Sequence, residues 1–65
     1  MKAKILRETF KTLDDFFGDP EKTNLWLETE NPLLGGFEPY VLIRLGKEER
    51  LLKIIKEAID ENTLK

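Results

Sequence analysis

The stretch Asn31-Pro32-Leu33-Leu34-Gly35-Gly36-Phe37-Glu38-Pro39, continued by Tyr40-Val41-Leu42-Ile43-Arg44-Leu45-Gly46, decides how the chain folds. Pro32 cannot donate a backbone hydrogen bond and turns Asn31 away from the α region, so a helix arriving from the N-terminal side ends here. The two consecutive glycines, behind two leucines, supply the positive φ of a tight bend anchored by a buried side chain. Pro39 suits the first position of a new helix, because its φ is already helical and its missing N–H is one that a first turn leaves unpaired anyway. The spacing predicts a short helix from Pro39 to Arg44, closed by Gly46. Tyr40, Val41, Leu42 and Ile43 are apolar all round, which predicts the most enclosed segment of the fold. Periodicity alone also admits a buried strand, and length favours the helix.

Working outward, Asp19-Pro20-Glu21 reads as N-cap, first helical residue and first-turn acid of a helix running to about Thr29, with Thr23, Trp26 and Leu27 inward. Before it, Ala3, Leu6, Phe10, Leu13 and Phe17 recur at alternating spacings of three and four, one stripe of a helix that Gly18 ends. Ile5 and Phe16 share a second, narrower stripe on which Thr9 and Thr12 also lie. After Gly46, a last helix is expected from about Lys47 to Glu61. Leu51, Leu52, Ile55, Ala58 and Ile59 share its apolar face, Ile54 lies at the edge, and Lys53, Lys56, Glu57 and Asp60 lie opposite. Leu64 falls off that face, in a tail expected to be capped by Asn62. The fold class that follows is all-α: a four-helix domain with a short, buried third helix after a Gly-Gly bend.

Composition bounds the rest. Sixty-five residues form a single domain, 1–65, with a shallow core. The chain has no cysteine and no histidine, which removes disulfides, thiolate zinc sites and the usual imidazole base. The longest apolar run, Tyr40 to Ile43, is far short of the roughly 20 residues of a membrane span, and the N-terminus has no signal-peptide core, so a cytoplasmic protein is expected. Eleven Lys and Arg stand against 13 Asp and Glu, and no segment carries the basic excess with which a protein neutralises phosphates, so direct nucleic-acid binding is disfavoured. The one charge asymmetry is the segment from Asp19 to Gly46, with five acids against two bases, either a solvated surface or a docking face for a basic partner.

Neither catalysis nor a cofactor is indicated. Asp14-Asp15, Glu28 with Glu30, and Glu48-Glu49 are the closest carboxylate groupings, and a domain this small has little interior in which to shift their pKa values. Gly35-Gly36 lacks the glycine spacing and the Lys-Ser/Thr of a phosphate loop. Trp26 reads either as core or as a binding hot spot, and its spacing with Thr23 and Leu27 favours core. Catalytic, metal and cofactor-binding residues are therefore expected to be none.

The order of the motifs carries further information. Phe17-Gly18-Asp19-Pro20-Glu21-Lys22, then Trp26-Leu27, Glu30-Asn31-Pro32, Leu34-Gly35-Gly36 and Pro39, closing with Gly46 before an amphipathic helix that carries Leu51 and Ile55, resembles the toxin-binding domain of Xre/MbcA/ParS-type antitoxins. The likeness runs from about Thr12 to Asn62. It implies a helical module that neutralises a RES-domain toxin, an NAD-consuming enzyme, by occluding its active site in a bacterial toxin–antitoxin system. The partner-binding face it implies comprises the Gly-Gly bend and the last helix with its tail, which in this chain means Leu34, Gly35, Gly36, Pro39, Arg50, Ile54, Asn62, Leu64 and Lys65. Each also has a structural reason to be there: the glycines make the bend, Pro39 starts a helix, and the last helix supplies core.

Two departures from the family pattern matter. Such antitoxins usually carry an N-terminal helix-turn-helix domain, and only about a dozen residues precede the match, so DNA binding is not carried over. Position 38, where the family often has Thr or Ser, is Glu38, which forfeits a short-chain cap for the Pro39 helix. If the first helix normally packs beneath a preceding domain, the Ile5/Phe16 stripe is left bare, and self-association into a homodimer would cover it. The alternative function is thus a stand-alone oligomerisation or regulatory module with no toxin partner.

Overall fold

A computed structural model describes residues 3–64 as α1 (Ala3–Phe17), α2 (Pro20–Glu28), a 3₁₀ turn (Pro32–Leu34), α3 (Pro39–Arg44) and α4 (Glu48–Asp60). No strand occurs among the described residues, which settles the helix-or-strand alternative for Pro39–Arg44. Helix α1 packs on α2 and α4, and α3 bridges α2 and α4.

Local chemistry sets the boundaries. The Asp19 carboxylate accepts a 2.9 Å hydrogen bond from the Glu21 N–H, and Pro20 occupies the first helical position of α2. Asn31 repeats the device, accepting from the Leu33 N–H at 2.9 Å and thereby starting the 3₁₀ turn in the stretch expected to be loop. Helix α3 starts at Pro39 with Glu38 extended before it and no side-chain cap, the consequence expected of a glutamate at that position. At its end Gly46 adopts φ +74°; its N–H bonds the Ile43 carbonyl and the Lys47 N–H bonds the Leu42 carbonyl, a Schellman closure that needs a left-handed residue at this point.

The core gathers around Trp26 and Leu27 of α2, Leu13 of α1 and Leu51, Ile55 and Ala58 of α4, with Phe17, Leu34, Leu42, Ile43 and Ile59 packed at its edge. The inward set expected for α2 is buried, and so is the apolar face expected for α4 apart from Ile59, which is half-buried. Ile54 is half-buried, as its edge position implies.

Three expectations are corrected. First, the buried line of α1 runs through Thr9 and Leu13, while Phe10 stays 37% exposed. A threonine can take a core position on a helix because its hydroxyl donates back to the carbonyl four residues earlier, here Ile5 at 2.8 Å. The Ile5/Phe16 stripe is therefore not bare along its length: Thr9 is buried, Ile5 and Thr12 are half-buried, and Phe16 alone of the stripe is exposed.

Second, α3 is not the most enclosed segment. Pro39 is its one buried residue, and Tyr40 is 43% exposed. A six-residue helix has fewer than two turns and only one side that meets α2 and α4, so apolar residues all round leave some outside.

Third, Leu64 lies in the core at 3% exposure. Asn62 does cap the tail, taking φ +58°, and the Thr63 N–H returns to the Ala58 carbonyl at 2.8 Å. That reversal takes the chain off the helical register by which Leu64 was placed outside, and folds it back onto the domain.

Candidate functional site

An open groove of about 420 Å³ lies where the Gly-Gly corner, α3 and α4 meet. The corner contributes Leu33, Leu34, Gly35 and Phe37. Helix α3 and the residue after it contribute Val41, Leu42 and Leu45, and Ile54 rises from the second turn of α4. Phe37 is 64% exposed, Leu45 62% and Leu33 47%. Apolar side chains gathered this densely on a free surface mark an interaction site.

The corner's geometry explains why those side chains stand out. The Leu34 and Gly36 N–H groups both turn back to the Asn31 carbonyl, at 2.9 and 3.0 Å, and the Asn31 N–H is bonded by the Phe37 carbonyl at 3.0 Å. With Asn31 as the hub, residues 32 to 36 form a closed loop through which Leu34 packs inward and Leu33 and Phe37 are directed away from the core. Gly35 and Gly36 hold φ +68° and +90° to complete the turn. A Cβ at either would meet nothing within 4 Å, so the left-handed backbone, and not crowding, calls for glycine there.

Two charged side chains line the groove, Lys47 at the N-cap of α4 and Arg50 in its first turn, and both are exposed. Arg44, in the last turn of α3, lies 5.8 Å from the centre of the Tyr40 ring in a cation–π arrangement. Among the described residues the lining contains no carboxylate, hydroxyl or thiol, and it offers apolar contact with a cationic rim.

The residues expected at a partner face divide. Leu34, Gly35, Arg50 and Ile54 come together in this groove. Gly36 is exposed beside it without lining it. Pro39 is buried and so is not a surface contact, and Leu64 is corrected likewise. Asn62 is exposed but lies past the far end of α4, whose last residue, Asp60, is roughly 15 Å from Arg50 at the helical rise of 1.5 Å per residue. Lys65 lies outside the described residues. Among the signature residues, Leu27, Leu51 and Ile55 are fully enclosed, while Phe17 and Trp26 also border a second cleft of about 520 Å³ with Leu25 and Pro32. Trp26 is 7% exposed, and its buried indole Nε1 has no hydrogen-bond partner; the residue serves as core.

Leu33, Phe37, Val41, Leu45 and Lys47 are not among the residues the sequence places at a partner face. The available signal was the excess of large apolar residues between Leu33 and Leu45 over what a single turn and a six-residue helix are able to bury. Elsewhere, Lys56 of α4 donates a 2.8 Å hydrogen bond to Glu8 of α1, holding that carboxyl below the usual glutamate range. Among the described residues no group of three or more His, Cys, Asp or Glu is placed to hold a metal ion, and no helix is long and apolar enough to cross a membrane. Compared with known proteins, the chain matches no family model, no curated protein and no solved structure.

Proposed function

We propose that this chain is a binding module that neutralises a protein toxin, of the RES-type NAD-consuming class that the sequence resemblance implies, by covering the toxin's active site. The observation that carries the reading is the convergence of Leu34, Gly35, Arg50 and Ile54 on one groove whose apolar rim is bare. Leu33, Phe37 and Leu45 would act as anchors, because well-packed apolar and aromatic side chains at the centre of an interface carry most of its energy, while Lys47 and Arg50 would steer the encounter. The module contributes surface, and the chemistry remains the toxin's.

The test is co-expression with a RES-domain toxin encoded beside this gene. Restored growth, preserved cellular NAD and co-purification of the two chains are the expected results. A toxin that stays active in the presence of an excess of folded protein overturns the reading. Phe10 and Phe16, 37% and 40% exposed on α1, favour the second reading, an oligomerisation module without a toxin partner. It requires a stable homo-oligomer and no co-purifying neighbour.

A further inference from the structure

The groove's charge and its apolar lining together narrow what it binds. The protein as a whole is acidic, with a net charge of −2, yet the two charged side chains lining the groove are both cations. The acids adjacent in sequence do not line it: Glu38 and the buried Glu48 lie outside the lining, and Glu49 lines a different groove with Ile5 and Lys53. An apolar partner seated on Leu33, Phe37 and Leu45 would strip water from Lys47 and Arg50, and a cation that loses water without gaining an opposite charge is costly. A second copy docked face to face would worsen this by setting two Lys47–Arg50 pairs against each other.

From this we infer that the groove takes an acidic, apolar segment of a partner protein, whose apolar side chains enter among Leu33, Phe37 and Leu45 while its carboxylates pair with Lys47 and Arg50. Arg50 is the more specific reader, since a guanidinium binds a carboxylate through two parallel hydrogen bonds and a lysine ammonium acts as a point charge. The inference rests on reading this surface as the binding face, and it names the partner's chemistry there.

The test uses the full-length ¹⁵N-labelled protein and two synthetic helical peptides that share the same leucine positions, one carrying glutamates and the other lysines between them. The expected result is that the glutamate peptide shifts the amide signals of Gly35, Phe37, Leu45, Arg50 and Ile54, and that the lysine peptide leaves them in place. Arg50→Glu together with Lys47→Glu should weaken the glutamate peptide by about tenfold, the combined scale of two exposed ion pairs. Raising salt from about 50 to about 500 mM should weaken it in the unchanged protein, because exposed charges are screened. Both substituted residues are exposed, and the same spectra report whether each variant is folded.

Equal response to the two peptides, shifts confined to other surfaces, or no shifts at all would overturn the inference. So would concentration-dependent shifts of the groove signals without peptide, which would make a second copy the occupant. The outcome is separable from that of the toxin test. Toxin neutralisation without peptide discrimination removes this inference and leaves the proposed function standing, and discrimination without neutralisation does the reverse.

Discussion

Replacing Leu64 by alanine should cost the domain about 2 kcal/mol, although this residue stands next to the last position of the chain. The leucine is 3% exposed and belongs to the same buried cluster as Leu13, Trp26 and Ile55. Buried Leu→Ala changes cost roughly 2 to 5 kcal/mol, and the low end applies here because Leu64 lies outside any helix, past the Asn62 reversal, where the backbone relaxes into the space more readily than a helix interior does. A domain of this size draws only about 3 to 5 kcal/mol from its core, so the loss is near half of the total. The expected fall in melting temperature is about 8 to 16 °C. The assay is urea unfolding followed both by far-ultraviolet circular dichroism and by Trp26 fluorescence, whose coincidence checks two-state behaviour. Leu45→Ala is the control: at 62% exposure its removal should stay within about 0.5 kcal/mol. If the two variants unfold at the same urea concentration, the tail is not folded onto the core, and the account of Asn62 as the residue that turns it back fails.

Other consequences follow from single atoms. Thr9 and Thr23 are both buried, but the Thr9 hydroxyl has a partner in the Ile5 carbonyl and the Thr23 hydroxyl has none among the described residues. Thr9→Val should therefore cost about 1 kcal/mol and Thr23→Val should be neutral or stabilising, by urea midpoints. Gly46→Ala should cost about 1 to 2 kcal/mol from its left-handed backbone alone, since an added Cβ meets nothing nearer than Glu48 Oε1 at 3.9 Å; a chemically synthesised chain with D-alanine there should recover or exceed the original stability. The hydrogen bond from Lys56, reinforced by its charge, lowers the pKa of Glu8 on folding, so this pair favours the folded state above the ordinary glutamate pKa and ceases to do so as pH falls through the depressed value. A carboxyl-carbon NMR titration should place the Glu8 midpoint below the ordinary glutamate range, and Lys56→Gln should move it up.

How far the sequence reaches varies from element to element. Helix α2 was legible because its signals are local: Asp19, Pro20 and Glu21 act within one turn, and the spacing of Thr23, Trp26 and Leu27 states which side faces in. The α4 face was legible because its apolar residues outnumber any alternative grouping. Helix α1 was misread at Thr9 because hydropathy counts threonine as polar, whereas its hydroxyl satisfies itself on its own helix and leaves a methyl for the core. Leu64 was misread because helical angles lose meaning once Asn62 enters the left-handed region. Four of the ten described residues that line the candidate site were visible, namely Leu34, Gly35, Arg50 and Ile54. The rest depended on how much of α3 its neighbours cover, a tertiary quantity that no local pattern encodes.

That last dependence explains why the apolar groove sits where it does. The corner must leave one helix and begin another within a few residues, and Asn31 accepts and donates enough backbone hydrogen bonds to hold it with Leu34 as its one inward-packed leucine. Once the turn is self-sufficient, Leu33 and Phe37 are released from any duty in the core and stand at 47% and 64% exposure. Helix α3 is likewise held at both ends, by Pro39 at its start and by the Gly46 closure, so Leu45 just beyond it need not pack inward. Stability is thus concentrated along α1, α2 and α4, and the apolar residues of the corner and of α3 that the core does not require are displayed on a rigid frame. A pre-organised apolar surface loses little entropy when it is covered, which makes it suited to holding a partner tightly at small size.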